Sequence, residues 1–582
     1  MKIPAQLFNR LSRWKFLPLL AAVCAACNSS AQTPGTTGEW QAVANDQWKP
    51  IDQGDLRVKP GSALDFSFLV EKGVAGQHGF AFINRKGEFA FEKQPDVPVR
   101  FFCAPQLASS DSAGIEELAE QIRLAGYNVV RPHFLDDFLM KGSTEDLVFN
   151  PKALDTWERY TAALKKRGIY LCMDATTSWS AYTTISAWDP KASAVRLKSR
   201  LYYDPKMRDH WEKGVRQLFE HVNPYTGVAL KDEPQVMAVG LRNEPGFNFI
   251  LAGVKAFDPD IVIPFRKWLK KNYATTAGLR NAWGASLKDG EMLDTVALPS
   301  LKGKGPDTRD LQRYFTDAER ETFLWGAKKL RDMGVRVPVY DYNIEGSIQS
   351  SIARDVMPFV DNHAYSDHPS GPWLQAGQQI TQENPVGTGC SIIRWITSTR
   401  QWGRPLTCTE WGNPFWNQWR HEGAFTVAAY AAFQNWQFLG QHASPIAFSG
   451  RGSITPFQVA SDPPAKANER MAAFLFVRGD VQPSTHKVEV KLDANTLFDK
   501  LPTQEAISSE ITHLGLVTGL GVRVYGGPDP APRAAYTPDL MLMPSGTEEV
   551  LTVGEGAQQA VDRAGGKDTG ALVSKLRAKQ IL

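Results

Sequence analysis

The sequence is poor in cysteine, with six in 582 residues, and two of these fall within the first 27 positions. Only Cys103, Cys172, Cys390 and Cys408 follow, without a CxxC pair or a Cys/His spacing of zinc type, so no metal site is expected. Three of them sit in apolar runs ("RFFCAP", "IYLCMD", "PLTCTE"), where a free thiol serves as a small core hydrophobe. Charge of one sign is lacking too: the formal net charge is +3, and several of the cations lie at the N-terminus. Nucleic acid and anionic membrane surfaces are therefore not expected partners. Beyond the N-terminal leader no apolar run is long enough to span a bilayer. No GxGxxG follows the first strand, which removes the usual signature of a dinucleotide-binding open sheet.

What is present is ordinary globular composition, 43% hydrophobic and 22% charged, with 17 Trp, 15 Tyr and 30 Phe. Lys2, Arg10, Arg13 and Lys15 precede the apolar stretch "FLPLLAAVCAAC" and the small polar "NSSAQ". This is an export leader over 1–31, too short for a transmembrane helix. Two readings of it stand open: cleavage after Ala31, or lipidation of Cys27 in a box where Cys24 replaces the usual Leu. The expected location is exported: periplasmic, outer-membrane lipoprotein or secreted, with any membrane contact made through Cys27.

Residues 32–96 read as a linker and a small antiparallel β element formed by "LRVKPGSALDFSFLVEKG" and "HGFAFINRKGEFAFEK", with "NRKG" as a turn. From 97 to 480 short apolar strands alternate with amphipathic helices. The strands are expected at 99–104, 127–134, 169–179, 235–245, 335–343, 357–365, 404–412 and 444–450. Eight such alternations in about 350 residues predict an α/β fold, a closed (β/α)8 TIM barrel. Residues 481–582 read as a β-rich appendage carrying no chemistry.

In such a barrel, reactive groups come from the C-terminal ends of several strands. Those ends supply Arg131 and His133, Asp174, Asn243 and Glu244, Asp341 and Asn343, Asp361, His363 and Tyr365, then Glu410 and Trp411. Polar strand ends are common, and singly each is more readily structural than catalytic. Arg131 has an alternative as an ion-pair partner of Asp174, and His133 one as a satisfied loop residue. The specific feature is a pair of glutamates, Glu244 on strand four and Glu410 on strand seven, 166 positions apart.

"LRNEP" and "CTEWG" on those two strands resemble the signature motifs of the clan A glycoside hydrolases, nearest to the family 5 cellulase-like enzymes. "GYNVVRPH" is similar to that family's strand-two motif, and "DNHAY" to its strand-six His-x-Tyr. The resemblance implies retaining hydrolysis of a β-glycosidic bond in a β-linked polysaccharide or oligosaccharide, β-glucan or β-mannan, without cofactor or metal. It implies Glu410 as nucleophile and Glu244 as acid/base, with carboxyls about 5–5.5 Å apart. Arg131 and Tyr365 would hold Glu410, Asn243 would hold a sugar 2-hydroxyl, and His133 and His363 would line the subsite of the reacting sugar. Trp179, Trp373, Trp411, Trp416 and Trp419 are candidate stacking platforms. The chain departs from the family in having "MDATTSW" where a His usually follows strand three, and no Trp in "SPIAFSG". An exo-acting β-galactosidase or β-glucosidase of the same clan is the enzymatic alternative. An inactive glycan-binding surface lipoprotein is the alternative outside catalysis.

Overall fold

Apolar strand segments alternate with helices whose starts are written in the sequence. Asn150 caps the helix Pro151–Lys166 by accepting from the amides of Lys152 and Ala153, and Pro151 supplies a preset first turn. Asp204 and Pro205 do the same for Pro205–Glu220. The long helix Pro306–Met333 starts on a proline and stops at Gly334, whose φ of 106° is left-handed.

The computed structural model describes residues 45–46, 54–108, 114–178, 181–183, 198–253, 259–372, 374–450, 454–500 and 506–542. An antiparallel hairpin, β1 (Ala81–Ile83) and β2 (Phe89–Phe91), comes first. Six parallel strands follow: β3 (Phe101–Ala104), β4 (Val129–Val130), β5 (Tyr170–Asp174), β6 (Val236–Gly240), β7 (Val339–Tyr340) and β8 (Val360–Asp361). A short β9 (Ala364–Tyr365) precedes the last two barrel strands, β10 (Leu406–Gly412) and β11 (Phe438–Gln441). The ladder runs β7-β6-β5-β4-β3-β11-β10-β8, with β9 extending the pairing along β10. Between the two ladder ends, the His363 amide donates to the Asn343 carbonyl at 2.9 Å. Eight parallel strands in this order, with helices between them, form the TIM barrel.

Two sequence expectations are corrected. The eighth strand is Phe438–Gln441, not 444–450: Asn435, at φ 52°, ends the preceding helix early and frees "QFLGQ" to pair with β3 and β10. The segment 56–73 contains a 3-10 turn (Ser67–Leu69) and no strand; its apolar residues pack outward from Phe66 onto the barrel helices. The hairpin does turn through Asn84–Gly87, where Asn84 Oδ1 accepts from the amides of Lys86 and Glu88. Its rings close the N-terminal end of the barrel. Phe91 stacks on Tyr170 with ring centres 4.7 Å apart, and Phe89 meets Phe359 edge-on at 5.1 Å.

The C-terminal unit is a three-stranded parallel sheet, β13 (Gly519–Tyr525), β12 (Lys487–Asp493) and β14 (Leu540–Leu542) in spatial order. Its apolar core includes Ile348 and Ile352 of a barrel helix. The four cysteines of the described residues are buried free thiols. Among the described residues no helix is long and apolar enough to cross a membrane. The leader 1–31 with Cys27 and the candidate platforms Trp179 and Trp373 lie outside the described residues.

Candidate active site

Nearly every barrel strand delivers a polar side chain to one end, and the arrangement centres on Arg131, just past β4. Its guanidinium is fully buried, so each N–H needs a partner. Nε donates to Asp174 Oδ2 at 2.8 Å, Nη1 to Glu410 Oε1 at 2.6 Å, and Nη2 to Asn243 Oδ1 at 2.8 Å. The two sequence readings of Arg131, ion pair with Asp174 and support of Glu410, are thus both met by one planar fork. Because arginine has no acceptor, Asn243 must turn its oxygen toward it.

Glu410 lies in β10 and is 3% exposed. Tyr365 donates to its Oε2 at 2.7 Å. The ladder beside it is irregular between Cys408 and Trp411, a bulge that lets Thr409 and Glu410 both serve this end. Burial opposes ionisation of Glu410, but the surrounding imidazoles, His363 first and then His133 and His442, together with Arg131 outweigh it, and its carboxyl is held well below the ordinary range.

Glu244 follows β6 in a left-handed conformation, φ 49°, which costs an L-residue roughly 1–3 kcal/mol. The surroundings hold it there. Its amide donates to Asn343 Oδ1 at 2.7 Å, and the next carbonyl, of Pro245, accepts from Tyr202. Three and five residues after Glu244, the amides of Phe247 and Phe249 donate to the buried side chains of Glu319 and Glu345.

His363 links the two glutamates. Its Nδ1 is 3.0 Å from Glu244 Oε1 and 3.8 Å from Glu410 Oε2, while Nε2 meets Thr409 Oγ1 at 2.8 Å. Burial works against its charge, yet Glu410, Asp361 and Glu244 push its pKa up to about 10. It is an imidazolium at neutral pH, donating from both nitrogens. The Thr409 hydroxyl in turn donates a hydrogen bond to Asp361 Oδ2. The nearest carboxylate oxygens of Glu244 and Glu410, together with His363, fall within 4.8 Å of one another.

On the other side of Glu410, His133 Nδ1 approaches Oε1 at 3.4 Å and His442 Nδ1 approaches Oε2 at 3.9 Å. Burial pushes both imidazoles below their ordinary pKa, against the pull of Glu410. His442 was not anticipated, because the eighth strand was placed six residues too late. Asn343 stood among the polar strand ends without a role, and Thr409 carried no signal beyond its position before Glu410. Phe457 packs against Tyr365, His368 and His442 and walls this end of the barrel.

The aromatic expectation divides. Trp416 is 37% exposed in the loop after β10, beside Phe415. Trp411 is corrected: it is 1% exposed and belongs to the core between strands and helices. It neighbours Glu410 on a strand, and adjacent side chains point to opposite faces. A cleft of ≈ 1040 Å³ lies at the opposite end of the barrel, between the hairpin and the C-terminal sheet, and contains none of these strand-end groups.

Residues 157–431, which carry both glutamates, match the model of glycoside hydrolase family 42, described as beta-galactosidase. In this stretch the chain is similar to the clan A glycoside hydrolases. Among curated relatives it is 28% identical over 130 residues to a putative mannan endo-1,4-beta-mannosidase 4 of Arabidopsis thaliana, covering 22% of this chain and 32% of that one. It is 29% identical over 140 residues to a putative mannan endo-1,4-beta-mannosidase 5 of Oryza sativa subsp. japonica, covering 22% and 28%. The chain thus spans about a third of the length of the curated relatives it matches. Similar solved structures include an endo-beta-1,4-mannanase from Thermotoga petrophila, with 15% identity, TM-score 0.43 and coverage of 68% of this chain and 82% of that one. Another is a catalytic mutant of a GH42 beta-galactosidase from G. stearothermophilus, with 13% identity, TM-score 0.48 and coverage of 73% and 65%.

Proposed function

We propose that this protein is a clan A retaining β-glycoside hydrolase acting by double displacement, with Glu410 as nucleophile and Glu244 as acid/base. The observation that carries the reading is the closeness of the two carboxylates, within 4.8 Å at their nearest oxygens. Retaining enzymes hold the pair about 5–5.5 Å apart, whereas inverting enzymes need about 6.5–9.5 Å to admit a water between them. The unequal surroundings support the division of labour. Glu410 is buried, receives Arg131 and Tyr365, and is held ionised as a nucleophile must be. Glu244 keeps 17% of its side chain exposed, at the side from which a leaving group and then water would come.

In the first step Glu410 forms a bond to the anomeric carbon while Glu244 gives its proton to the departing oxygen. In the second, Glu244 takes a proton from water, which displaces Glu410 and restores the anomeric configuration. Asn243 spends its oxygen on Arg131 and offers its amide N–H to the 2-hydroxyl, while Trp416 supports stacking of a neighbouring sugar. β-Mannan is the first substrate we assign, with β-glucan beside it, because the matched curated relatives are named mannan endo-1,4-beta-mannosidases. The family description favours a second reading, an exo-acting β-galactosidase. The basic and apolar leader of residues 1–31 supports export, by cleavage or by lipidation of Cys27.

The test is hydrolysis of a panel of β-mannan, β-glucan and aryl β-galactosides, with the anomer of the first product read by proton NMR. The β-anomer is expected from wild type, and Glu410→Gln should lose turnover while keeping its thermal unfolding transition. First release of the α-anomer, or undiminished turnover in the variant, would overturn the assignment.

A further inference from the structure

The two imidazoles on the far side of Glu410 have no role in the mechanism above, and their geometry points to a ligand. His133 Nδ1 and His442 Nδ1 are both buried atoms without a hydrogen-bond partner. Orphaned buried polar atoms are rare enough to require an explanation. Both are directed at one carboxylate, at 3.4 and 3.9 Å, and the three donor atoms lie within 4.8 Å of one another. The rings stand edge to face with centres 4.9 Å apart, so neither blocks the other's approach to Glu410.

We propose that His133, Glu410 and His442 form a binding site for a divalent transition-metal ion of zinc type, and that such an ion inhibits the enzyme by capping its nucleophile. Zn–N and Zn–O bonds of about 2.1 Å at tetrahedral angles place ligand atoms about 3.4 Å apart. His133 Nδ1 already stands at that distance from Oε1; His442 Nδ1 is nearest to Oε2, at 3.9 Å, so its ring and the carboxylate must rotate to bring three donor atoms, all within 4.8 Å, onto one ion. Two imidazoles and one carboxylate suit zinc and copper better than calcium or magnesium, which prefer all-oxygen shells. The fourth position would stay open to water.

The neighbouring cations do not exclude the ion. Arg131 is paired with Asp174 as well as Glu410, and His363 has Asp361 at 3.6 Å and Glu244 at 3.0 Å. Arg131 and Tyr365 each engage one lone pair of a Glu410 oxygen, leaving another on each. A sugar hydroxyl reaching the same imidazoles in a substrate complex would compete with the ion. The inhibition is therefore competitive and reversed by a chelator. That consequence rests on Glu410 being the nucleophile, whereas the binding itself does not.

The experiment titrates metal-stripped full-length protein with zinc chloride by calorimetry, and locates zinc in soaked crystals by anomalous scattering at its absorption edge. One ion is expected, within bonding distance of the three side chains. His133→Asn and His442→Asn should each weaken zinc at least about tenfold, the scale on which even orienting partners of metal ligands count. His421→Asn, on an exposed residue outside the site, should leave it unchanged. An anomalous peak elsewhere, or unaltered affinity in both site variants, overturns the proposal. If crystal and titration agree but no glycoside on the panel is hydrolysed, the metal site stands and the functional reading fails.

Discussion

At the scale of single residues, the two glutamates differ in what surrounds them, and that difference is testable apart from their identity. Glu410 is fixed by Arg131 and Tyr365, whereas the Glu244 carboxylate touches His363 and stays partly exposed. A proton donor matters only when the leaving group needs a proton. Glu244→Ala should therefore slow natural glycosides by about 10²–10⁴-fold, the usual worth of general acid catalysis. Aryl glycosides with acidic phenols should be far less affected in the bond-breaking step, and azide, which needs no deprotonation, should restore turnover as the β-glycosyl azide. Equal loss on both substrate classes without azide rescue would remove Glu244 from the acid/base role. Most of this residue set was legible, because strand-end polar groups stand next to apolar runs that name their strands. His442 was not: its strand is four residues long and directly follows a helix of similar hydrophobicity, so only the left-handed Asn435 marks the break. Trp411 was misassigned by proximity in sequence, although strand alternation beside Glu410 turns it into the core.

At the scale of elements, the turn that presents Glu244 is held by a buried pair of acids. Glu319 accepts from the Phe247 amide at 3.0 Å and Glu345 from the Phe249 amide at 2.9 Å, with Tyr342 donating to Glu345 at 2.8 Å. A Cβ at Gly246 would lie 2.5 Å from Glu345 Oε1, so a larger residue there would displace that side chain from the turn. Burial raises the pKa of both acids, and their mutual repulsion raises Glu319 further, against the cations Arg242 and Arg354 packed nearby. A carboxyl whose folded pKa exceeds its unfolded value binds more protons when folded. Its contribution to stability is thus largest in acid and declines as pH rises from about 4.5 through the folded pKa. Glu319→Gln removes the repulsion but keeps an oxygen for the Phe247 amide. It should gain on wild type as pH rises from 4.5 to 8, by on the order of 1 kcal/mol for each unit of pKa displacement. Thermal melts across that range decide it: a difference that stays flat with pH would show that the pair does not titrate in the folded protein. None of this was visible in the sequence. Glu319 lies in the middle of a long helix and Glu345 in a loop, and only tertiary packing brings them under one turn.

At the scale of the whole molecule, the barrel and the C-terminal sheet share their interior. The apolar core of the sheet includes Ile348 and Ile352, in the helix that follows β7. Polar ties cross the same boundary: Gln434 Nε2 donates to the carbonyl of Thr518, Trp402 Nε1 donates to the carbonyl of Val488, and Arg533 pairs with Asp355. The sequence showed the alternation of "HKVEVKL" but not its parallel partners, because a strand's own pattern does not state what it pairs with. Arg354, at the end of the same helix, bonds the Tyr342 carbonyl and the Asn362 side chain between β7 and His363. A loss of packing in the sheet should therefore reach the site through that helix rather than stop at the boundary. Leu492→Ala, at a fully buried position in β12, should cost about 2–5 kcal/mol. Calorimetry should then show one unfolding transition displaced as a whole, with glycosidase activity lost along the same curve on heating. Two transitions, of which only the lower moves while activity follows the upper, would show that the sheet unfolds independently and that the shared isoleucines do not couple it to the barrel.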